Sequence, residues 1–600
     1  MSVRKLHYLM ARFLSSKSRI NVIQSAKSLK DFMTKDNAIS TTIPDTVLNS
    51  RVYIETYGCQ MNVSDSDVVR SILLKEGYSI TNEENDANIV LINTCAIREN
   101  AEGKVWNRLS YFQSLRNKNR ISKKQKFPYI GVLGCMAERL KEKLLDEESV
   151  DFVCGPDAYR DIPRLLNKVS STDQKEANTI LSFDETYADI SPVRTSISSS
   201  AFVSIMRGCN NMCSFCVVPF TRGRERSRSL SSIIDESKKI IEVDNIREIV
   251  LLGQNVNGYH DISEESSQKY HFRNSYNKSS ELFSNLFESR KKKMPGARFV
   301  DALQEIAALH PEVRLRFTSP HPKDFPPEVL YTIADTPNIC ASLHLPLQSG
   351  STSVLERMRR GYSREAYFKL VEDARKIIPG VTISTDIITG FCDETEDEHR
   401  ETVTAMEQIV FDQAFMFCYS LRDRTHAAHN MNDNVPEDVK LRRLQEIIDT
   451  YRKALIKKNL DTELGALRLV LVEGFAKKST VDRILLTGRT DGNKRVVFPY
   501  HKHIFKDLSI SRDTVQSVSR ILNQVDEMIK YDDKNIENAY NSKIEELQLK
   551  DSIGNPLISE DLFGKYVVVK IIKAGGQTLH AIPISVGSIE KYGSKGFVKL

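Results

Sequence analysis

Three cysteines, Cys209, Cys213 and Cys216, stand in the stretch RGCNNMCSFCVVPFTRGRERSR, spaced four and three apart, and no partner pair follows at finger spacing. A structural zinc ion asks for four protein ligands, usually as two CxxC pairs, so zinc is the weaker reading. A cubic four-iron cluster held by three thiolates keeps its fourth iron open to a small-molecule ligand. In that reading the missing cysteine is the functional feature. A second set lies upstream, where the apolar runs RVYIETYGC, ANIVLINTC and YIGVLGC end in Cys59, Cys95 and Cys135, 36 and 40 residues apart. Each interval fits one strand and one helix, and parallel strands joined by right-handed crossovers end on one sheet edge. Three thiols at three such ends converge, which predicts a second three-thiol site. A fourth run, VDFVC, ends in Cys154, which reads either as a further ligand or, the preferred reading, as a small buried hydrophobe.

The elements that position these thiols follow from periodicity. Residues 51–165 read as a parallel α/β domain. Residues 161–200 are rich in Ser, Thr and Asp with little periodicity and read as an interdomain linker. Over residues 195–440, strand-like runs (AFVSIM, REIVLLG, RLRFTS, ICASLHLP, TISTDIITG and FMFCYS) alternate with helical patterns. Six such units predict a parallel sheet curved into a partial (β/α)6 barrel, with the loops after the strands forming the site and the triple-cysteine loop following the first strand. The polar stretch DISEESSQKYHFRNSYNKSSELFSNLFESRKKKMPG reads as a surface insertion. After a helical segment near residues 436–465, β-rich alternation with Asp-Gly and Gly-Gly turns over residues 460–585 fits a small antiparallel barrel, interrupted by a charged helical insertion at about 506–558.

Composition bounds the function classes. No run of eighteen apolar residues occurs, so no membrane span is expected. Ten cysteines in 600 residues are too sparse for a disulfide scaffold and point to thiols as ligands or core fillers. The first thirty residues carry seven Lys/Arg, six Ser and no acid, the composition of a mitochondrial transit peptide. Subtracting those seven charges from the net +6 leaves about −1, so nucleic-acid binding must come from local patches. Arg222, Arg224, Arg226 and Arg228 alternate just past the cluster loop, where an extended chain points all four to one side and suits phosphate contacts. Lys477, Lys478, Arg489, Lys494 and Arg495 are the comparable candidates in the terminal barrel, a fold that commonly binds RNA.

The stretches YGCQMN, NTCAIRE, GCMAERL, RGCNNMCSFCVVPFTRGRERSR, LLGQNVNGY, HLPLQSGS, TDIITGF and GRTDGNKRVVFP together resemble the methylthiotransferases of the radical S-adenosylmethionine superfamily, most of all the MiaB-type tRNA enzymes and their mitochondrial branch. The resemblance runs from about residue 51 to 585. It implies an N-terminal methylthiotransferase domain, a central radical domain and a C-terminal TRAM domain that binds RNA. It implies two [4Fe-4S] clusters, with Cys209, Cys213 and Cys216 holding the one that binds and cleaves S-adenosylmethionine. Cys59, Cys95 and Cys135 would hold the auxiliary cluster that carries the transferred sulfur. Gln254, Asn255, His344, Gln348 and Asp386 resemble residues lining the cosubstrate pocket, and Asn210, Asn211 and Phe215 would orient or shield the cluster. The implied substrate is N6-isopentenyladenosine at position 37 in a tRNA anticodon stem-loop, with an electron donor protein and a sulfur donor as partners. Its rivals are threonylcarbamoyl-adenosine, a ribosomal-protein aspartate, or a non-catalytic scaffold binding a kinase activator, against which the intact cysteines argue. Two departures from the family pattern stand out. Cys392 and Asp393 replace a Pro-Gly turn after TDIITGF, and SLRDRTHAAH from Ser420 to His429 replaces a Ser-Pro-Arg-Pro-Gly-Thr run. Both alter turn geometry near the site.

Overall fold

The computed structural model describes residues 50–96, 99–122, 128–172, 174–194, 198–270, 295–480, 484–500 and 563–592. The basic leader, most of the polar insertion and the charged insertion at 506–558 lie outside the described residues.

The N-terminal domain is one six-stranded parallel sheet: β1 (Arg51–Thr56), β2 (Ser79–Ile80), β3 (Ile89–Thr94), β4 (Tyr129–Gly134), β5 (Phe152–Cys154) and β6 (Glu176–Asn178), in the order β2-β1-β3-β4-β5-β6. Strand β3, IVLINT, is buried at every position, as expected of a central parallel strand covered on both faces. Strands β1, β3 and β4 are direct neighbours, so the chain leaves three adjacent strand ends at Cys59, Cys95 and Cys135. That is the convergence the spacing predicts.

The linker expectation needs correction over its first third. Ile162–Thr172 is a helix burying Ile162, Leu165, Leu166 and Val169, and β6 then pairs with β5. The i, i+3, i+4, i+7 spacing of those residues is an amphipathic stripe that the Ser/Thr-rich segment after it obscured. Further along, Tyr187 is buried, its ring 5.7 Å from that of Tyr159 and 4.9 Å beneath the Arg207 guanidinium.

The central domain has the six expected strands: β7 (Ser200–Ser204), β8 (Glu248–Leu252), β9 (Arg314–Phe317), β10 (Ser342–His344), β11 (Thr382–Thr389) and β12 (Gln413–Cys418). They pair in parallel as two three-stranded sheets, joined by the bridge between Leu315 and Ile339 into one open arc in chain order. Val203, Ile249, Leu251, Leu315, Leu343 and Ile383 pack with the surrounding helices in one core. The strand pair His260–Asp261 and Ala297–Arg298 closes the base of the polar insertion.

The C-terminal domain is a closed barrel of β13 (Leu467–Phe475), β14 (Leu485–Thr490), β15 (Arg495–Pro499), β16 (Tyr566–Lys573) and β17 (Thr578–Gly587), in the order β13-β14-β15-β17-β16. Pairing is antiparallel except between β15 and β17, which run parallel. Two buried arginines of β9 fasten it to the central domain. Arg314 donates to the Arg489 and Leu469 carbonyls, and Arg316 to those of Thr490 and Asp491 and to Glu248.

One proposed RNA contact of this barrel is overturned. Lys494 is 9 % exposed and lies 3.0 Å from both Asp412 and Glu463, so its charge is spent inside the fold. Arg489 stays partly exposed, paired with Glu473 at 2.9 Å, while Lys477, Lys478 and Arg495 are exposed.

Candidate active site

The three N-terminal thiols meet because polar side chains lace the strand ends together. Asn62, one turn into the helix Gln60–Lys75, donates to the Thr94 carbonyl at 2.6 Å, and Asn93 donates back to the Asn62 carbonyl at 2.9 Å. Thr94 donates to the Leu133 carbonyl at 2.6 Å, tying β3 to β4. Gly58 has φ +121°, and a Cβ there would lie 2.4 Å from that of Cys95, so only glycine lets these two thiols approach. A hydrogen bond with Cys95, aided by the Arg222 charge, brings the Cys59 thiol down to about 6, while burial pushes Cys135 up.

The second triad lies in the loop after β7. Gly208, at φ +74°, is pressed against the Arg224 carbonyl, where a Cβ would stand 2.1 Å from the oxygen. Burial raises the Cys209 thiol to about 11 and Cys216 to about 12. Arg360, buried, donates to the Cys213 sulfur at 3.4 Å, and the His321 ring nitrogen lies 3.9 Å from it. Burial, with Arg360 and Lys323 nearby, holds His321 well below the usual imidazole range.

Cys213 and Cys216 line a cavity of about 430 Å³, with Phe220 and Pro219 as apolar wall and Arg359, Arg424, His426 and His429 at its rim. Among the described residues no three His, Cys, Asp or Glu side chains gather as tightly as a single metal ion demands. Three thiols apiece are instead the donor set that leaves one iron of a four-iron cube open.

The arginine run is the main correction. Arg222, at 3 % exposure, lies 2.7 Å from Asp65 and donates to the Cys135 sulfur at 3.1 Å. Arg226 pairs with Asp157 at 3.0 Å and Arg228 with Glu236 at 2.7 Å, both buried. Only Arg224 is exposed. A short helix at Val218–Thr221 turns the chain inward, and buried acids of the N-terminal domain were waiting for the charges. Arg207 completes the network, 2.8 Å from Asp65. Three guanidiniums, of Arg207, Arg222 and Arg226, thus face two carboxylates, of Asp65 and Asp157. The surplus positive charge lies beside Cys135, where an anionic thiolate set offsets it.

The remaining candidates separate. Gln254 accepts from the Gly208 backbone at 2.6 Å and shapes the cluster loop. Asn255 donates to Asp324 at 3.3 Å, yet its Oδ1 is buried with no partner, as is the Gln348 Oε1 at a backbone φ of +72°. Two orphaned buried acceptors are what an amine-bearing ligand would satisfy. His344 bonds Ser384 at 3.0 Å and Asp386 at 3.3 Å across β10 and β11. None of these five lines the Cys213/Cys216 cavity. Asn210 accepts from the Glu225 backbone at 3.2 Å, Asn211 bonds Asp324 at 3.2 Å, and Phe215 meets Phe391 edge-on at 6.5 Å, all loop-shaping contacts. Arg360 and Asn62 escaped the sequence reading, although both flank recognisable motifs. Of the two departures, Cys392 is fully buried and Asp393 takes φ +60°, bonded to Asn434 at 2.9 Å, so an aspartate occupies a left-handed turn position that glycine favours. Arg424 does the same at φ +69° in the second run.

A strand-following three-cysteine loop on an open parallel arc defines a radical S-adenosylmethionine domain. Residues 203–406 match the model described as the radical SAM superfamily, and residues 51–155 match that described as the uncharacterized protein family UPF0004. Over 452 residues the chain is 53 % identical to the mouse mitochondrial tRNA methylthiotransferase CDK5RAP1, covering 75 % of this chain and 74 % of that one. A rice CDK5RAP1-like protein is 52 % identical over 76 % of each chain. A tRNA-2-methylthio-N(6)-dimethylallyladenosine synthase of Amoebophilus asiaticus is 46 % identical, over 79 % of this chain and 92 % of that one. The chain belongs to the tRNA methylthiotransferase family of radical S-adenosylmethionine enzymes. Membership of that superfamily implies one four-iron cluster and S-adenosylmethionine.

Proposed function

We propose that this chain is a mitochondrial tRNA methylthiotransferase that converts N6-isopentenyladenosine at position 37 to its 2-methylthio derivative, using two [4Fe-4S] clusters. The observation that carries this reading is the pair of cysteine triads at strand ends of two domains, with Arg222 reaching from the loop of one to a sulfur of the other. The relatives' names supply the activity, and the acid-free leader with its seven cations supplies the compartment.

Cys209, Cys213 and Cys216 hold the first cluster and Cys59, Cys95 and Cys135 the second. When bound, the first cluster and S-adenosylmethionine supply the carbon radical that a non-acidic aromatic C–H bond requires. The orphaned oxygens of Asn255 and Gln348 would accept from the cosubstrate's amino group. Arg222 and Arg360 balance thiolate charge at the two sites. Exposed Arg224, Lys477, Lys478 and Arg495 offer phosphate contacts, the last three from a barrel acting as a TRAM domain. An electron donor protein and a sulfur donor complete the cycle.

Two triple variants test the reading. Cys209/Cys213/Cys216→Ala should lose both 5′-deoxyadenosine and the modified nucleoside. Cys59/Cys95/Cys135→Ala should keep about half the iron and still cleave S-adenosylmethionine, yet transfer no sulfur. Methylthiolation by the second variant, or full retention of its iron, would remove the N-terminal triad from the mechanism.

A further inference from the structure

At the rim of the Cys213/Cys216 cavity, two arginines carry charge that the fold leaves unspent. Arg359 and Arg424 are both exposed, and neither forms an ion pair with a carboxylate among the described residues. Their neighbours do: Arg357 lies 2.8 Å from Glu398 and Arg422 3.6 Å from Glu102. Arg424 also feels one buried carboxyl, that of Glu138, which burial lifts to about 7 and which forms no ion pair with it.

Both arginines are also held in the left-handed region, Arg359 at φ +55° and Arg424 at φ +69°. For residues with a side chain this costs roughly 1–2 kcal/mol each, and such strain collects at binding sites. Their two segments are tied together, because Arg359 donates to the His426 Nε2 at 2.7 Å. An arginine has only donors, so His426 accepts there and its proton sits on Nδ1. That Nδ1 is buried, with no partner among the described residues, so the ring holds Arg359 in place and its Nδ1 does not itself face the opening. Two guanidiniums without a carboxylate partner among the described residues therefore stand at one opening.

We infer that Arg359, positioned by His426, and Arg424 form a cradle for a phosphodiester of the substrate RNA, the one flanking the nucleoside that enters the cavity. This rests on the RNA-modifying reading above and names its subsite. Guanidiniums match phosphate oxygens in fork geometry. The rim position suits a backbone group whose base points inward toward Cys213 and Cys216. The second source of such an anion is the carboxylate of S-adenosylmethionine, and the experiment separates the two.

The full-length protein, reconstituted with iron and sulfide, is titrated with an anticodon stem-loop carrying isopentenyladenosine across a salt series. Arg359→Gln/Arg424→Gln should weaken binding at least tenfold and lower the slope of log K against log salt by about 0.7, the loss of one single-strand phosphate contact. Arg424→Gly, which relieves the left-handed strain, should melt no lower than the parent and still bind more weakly with a shallower slope. That variant separates a binding defect from a folding one. An unchanged slope and affinity in both variants overturns the cradle. So does an unchanged RNA slope with a raised S-adenosylmethionine requirement, which assigns the anion to the cosubstrate. If the parent itself binds no stem-loop, the RNA-modifying reading fails instead.

Discussion

Asp65 is the most informative single residue to change. It is 1 % exposed, accepts from Arg207 at 2.8 Å and Arg222 at 2.7 Å, and takes a third bond from the Tyr159 hydroxyl at 3.0 Å. Both arginines belong to the central domain and Asp65 to the N-terminal one, so the carboxylate fastens the two. Asp65→Asn keeps the shape and removes the charge. Removing one partner of a buried ion pair costs about 3–5 kcal/mol, because the other charge stays buried without compensation. Here two guanidiniums are stranded and the amide oxygen still accepts from one, so we expect a value near 4 kcal/mol. At an m of about 2 kcal/mol/M, the urea midpoint of the N-terminal domain should fall by roughly 2 M. The sole tryptophan, Trp106, packs against that domain's core and reports its unfolding without interference. The two arginines hold the Asp65 carboxyl below the usual range despite burial, so the contribution is present at neutral pH and is lost as pH falls into the carboxylate range. Combining Asp65→Asn with Arg222→Gln should cost less than the sum of the two. A midpoint shift below about 0.5 M, or strict additivity, would refute the claim that this pair joins the domains.

Two further predictions concern stability alone. Val410 caps the helix Glu396–Ile409 at φ +51°, a conformation poorly suited to a β-branched residue, so Val410→Gly should stabilise by about 1 kcal/mol in a thermal melt of the metal-free protein. An unchanged or lower midpoint would mean its side-chain packing outweighs the strain. Burial lifts the Glu138 carboxyl to about 7, so its contribution is full below the ordinary glutamate range and is lost as pH rises through 7. Relative to Glu138→Gln, the parent should lose up to about 3 kcal/mol between pH 4.5 and 7.5 by Trp106 fluorescence, and parallel profiles would contradict the shift.

What the sequence made legible was whatever depends on period and order. Apolar runs ending in Cys59, Cys95 and Cys135 marked strand ends, and six alternating units gave the open arc with the cluster loop after its first strand. What it hid was the destination of charge. Alternation at Arg222–Arg228 looks the same whether the partners are phosphates or buried acids, and the acids that take Arg222 and Arg226 lie over 60 residues away in VSDSDVV and CGPD, with only Glu236, the partner of Arg228, close by. The polar run Ser64–Asp67 of the first helix carries no apolar signal, yet all four residues are buried, Asp65 against central-domain arginines and Ser66 against Thr56 and Asn93. Lys494 was misread for the same reason, since Asp412 and Glu463 reach it only through the tertiary fold.

These buried pairs bear on how a substrate base reaches both cysteine sites. Opening the two domains would strand the charges of Asp65, Asp157 and their three arginines, at several kcal/mol for each broken partnership. A motion that costly is not populated during turnover unless the ligand repays it by differential affinity. Nor can the cluster loop move alone, because Arg222 anchors its far end to Asp65 and Cys135. A nucleoside must therefore enter by the opening that already exists. That opening is rimmed by Arg359, Arg424 and His426, and Arg424 also lies within electrostatic reach of Glu138, one helical turn beyond Cys135. The same cations that would grip a phosphate thus stand beside Cys213 and Cys216 and, through Glu138, within reach of the helix that begins at Cys135.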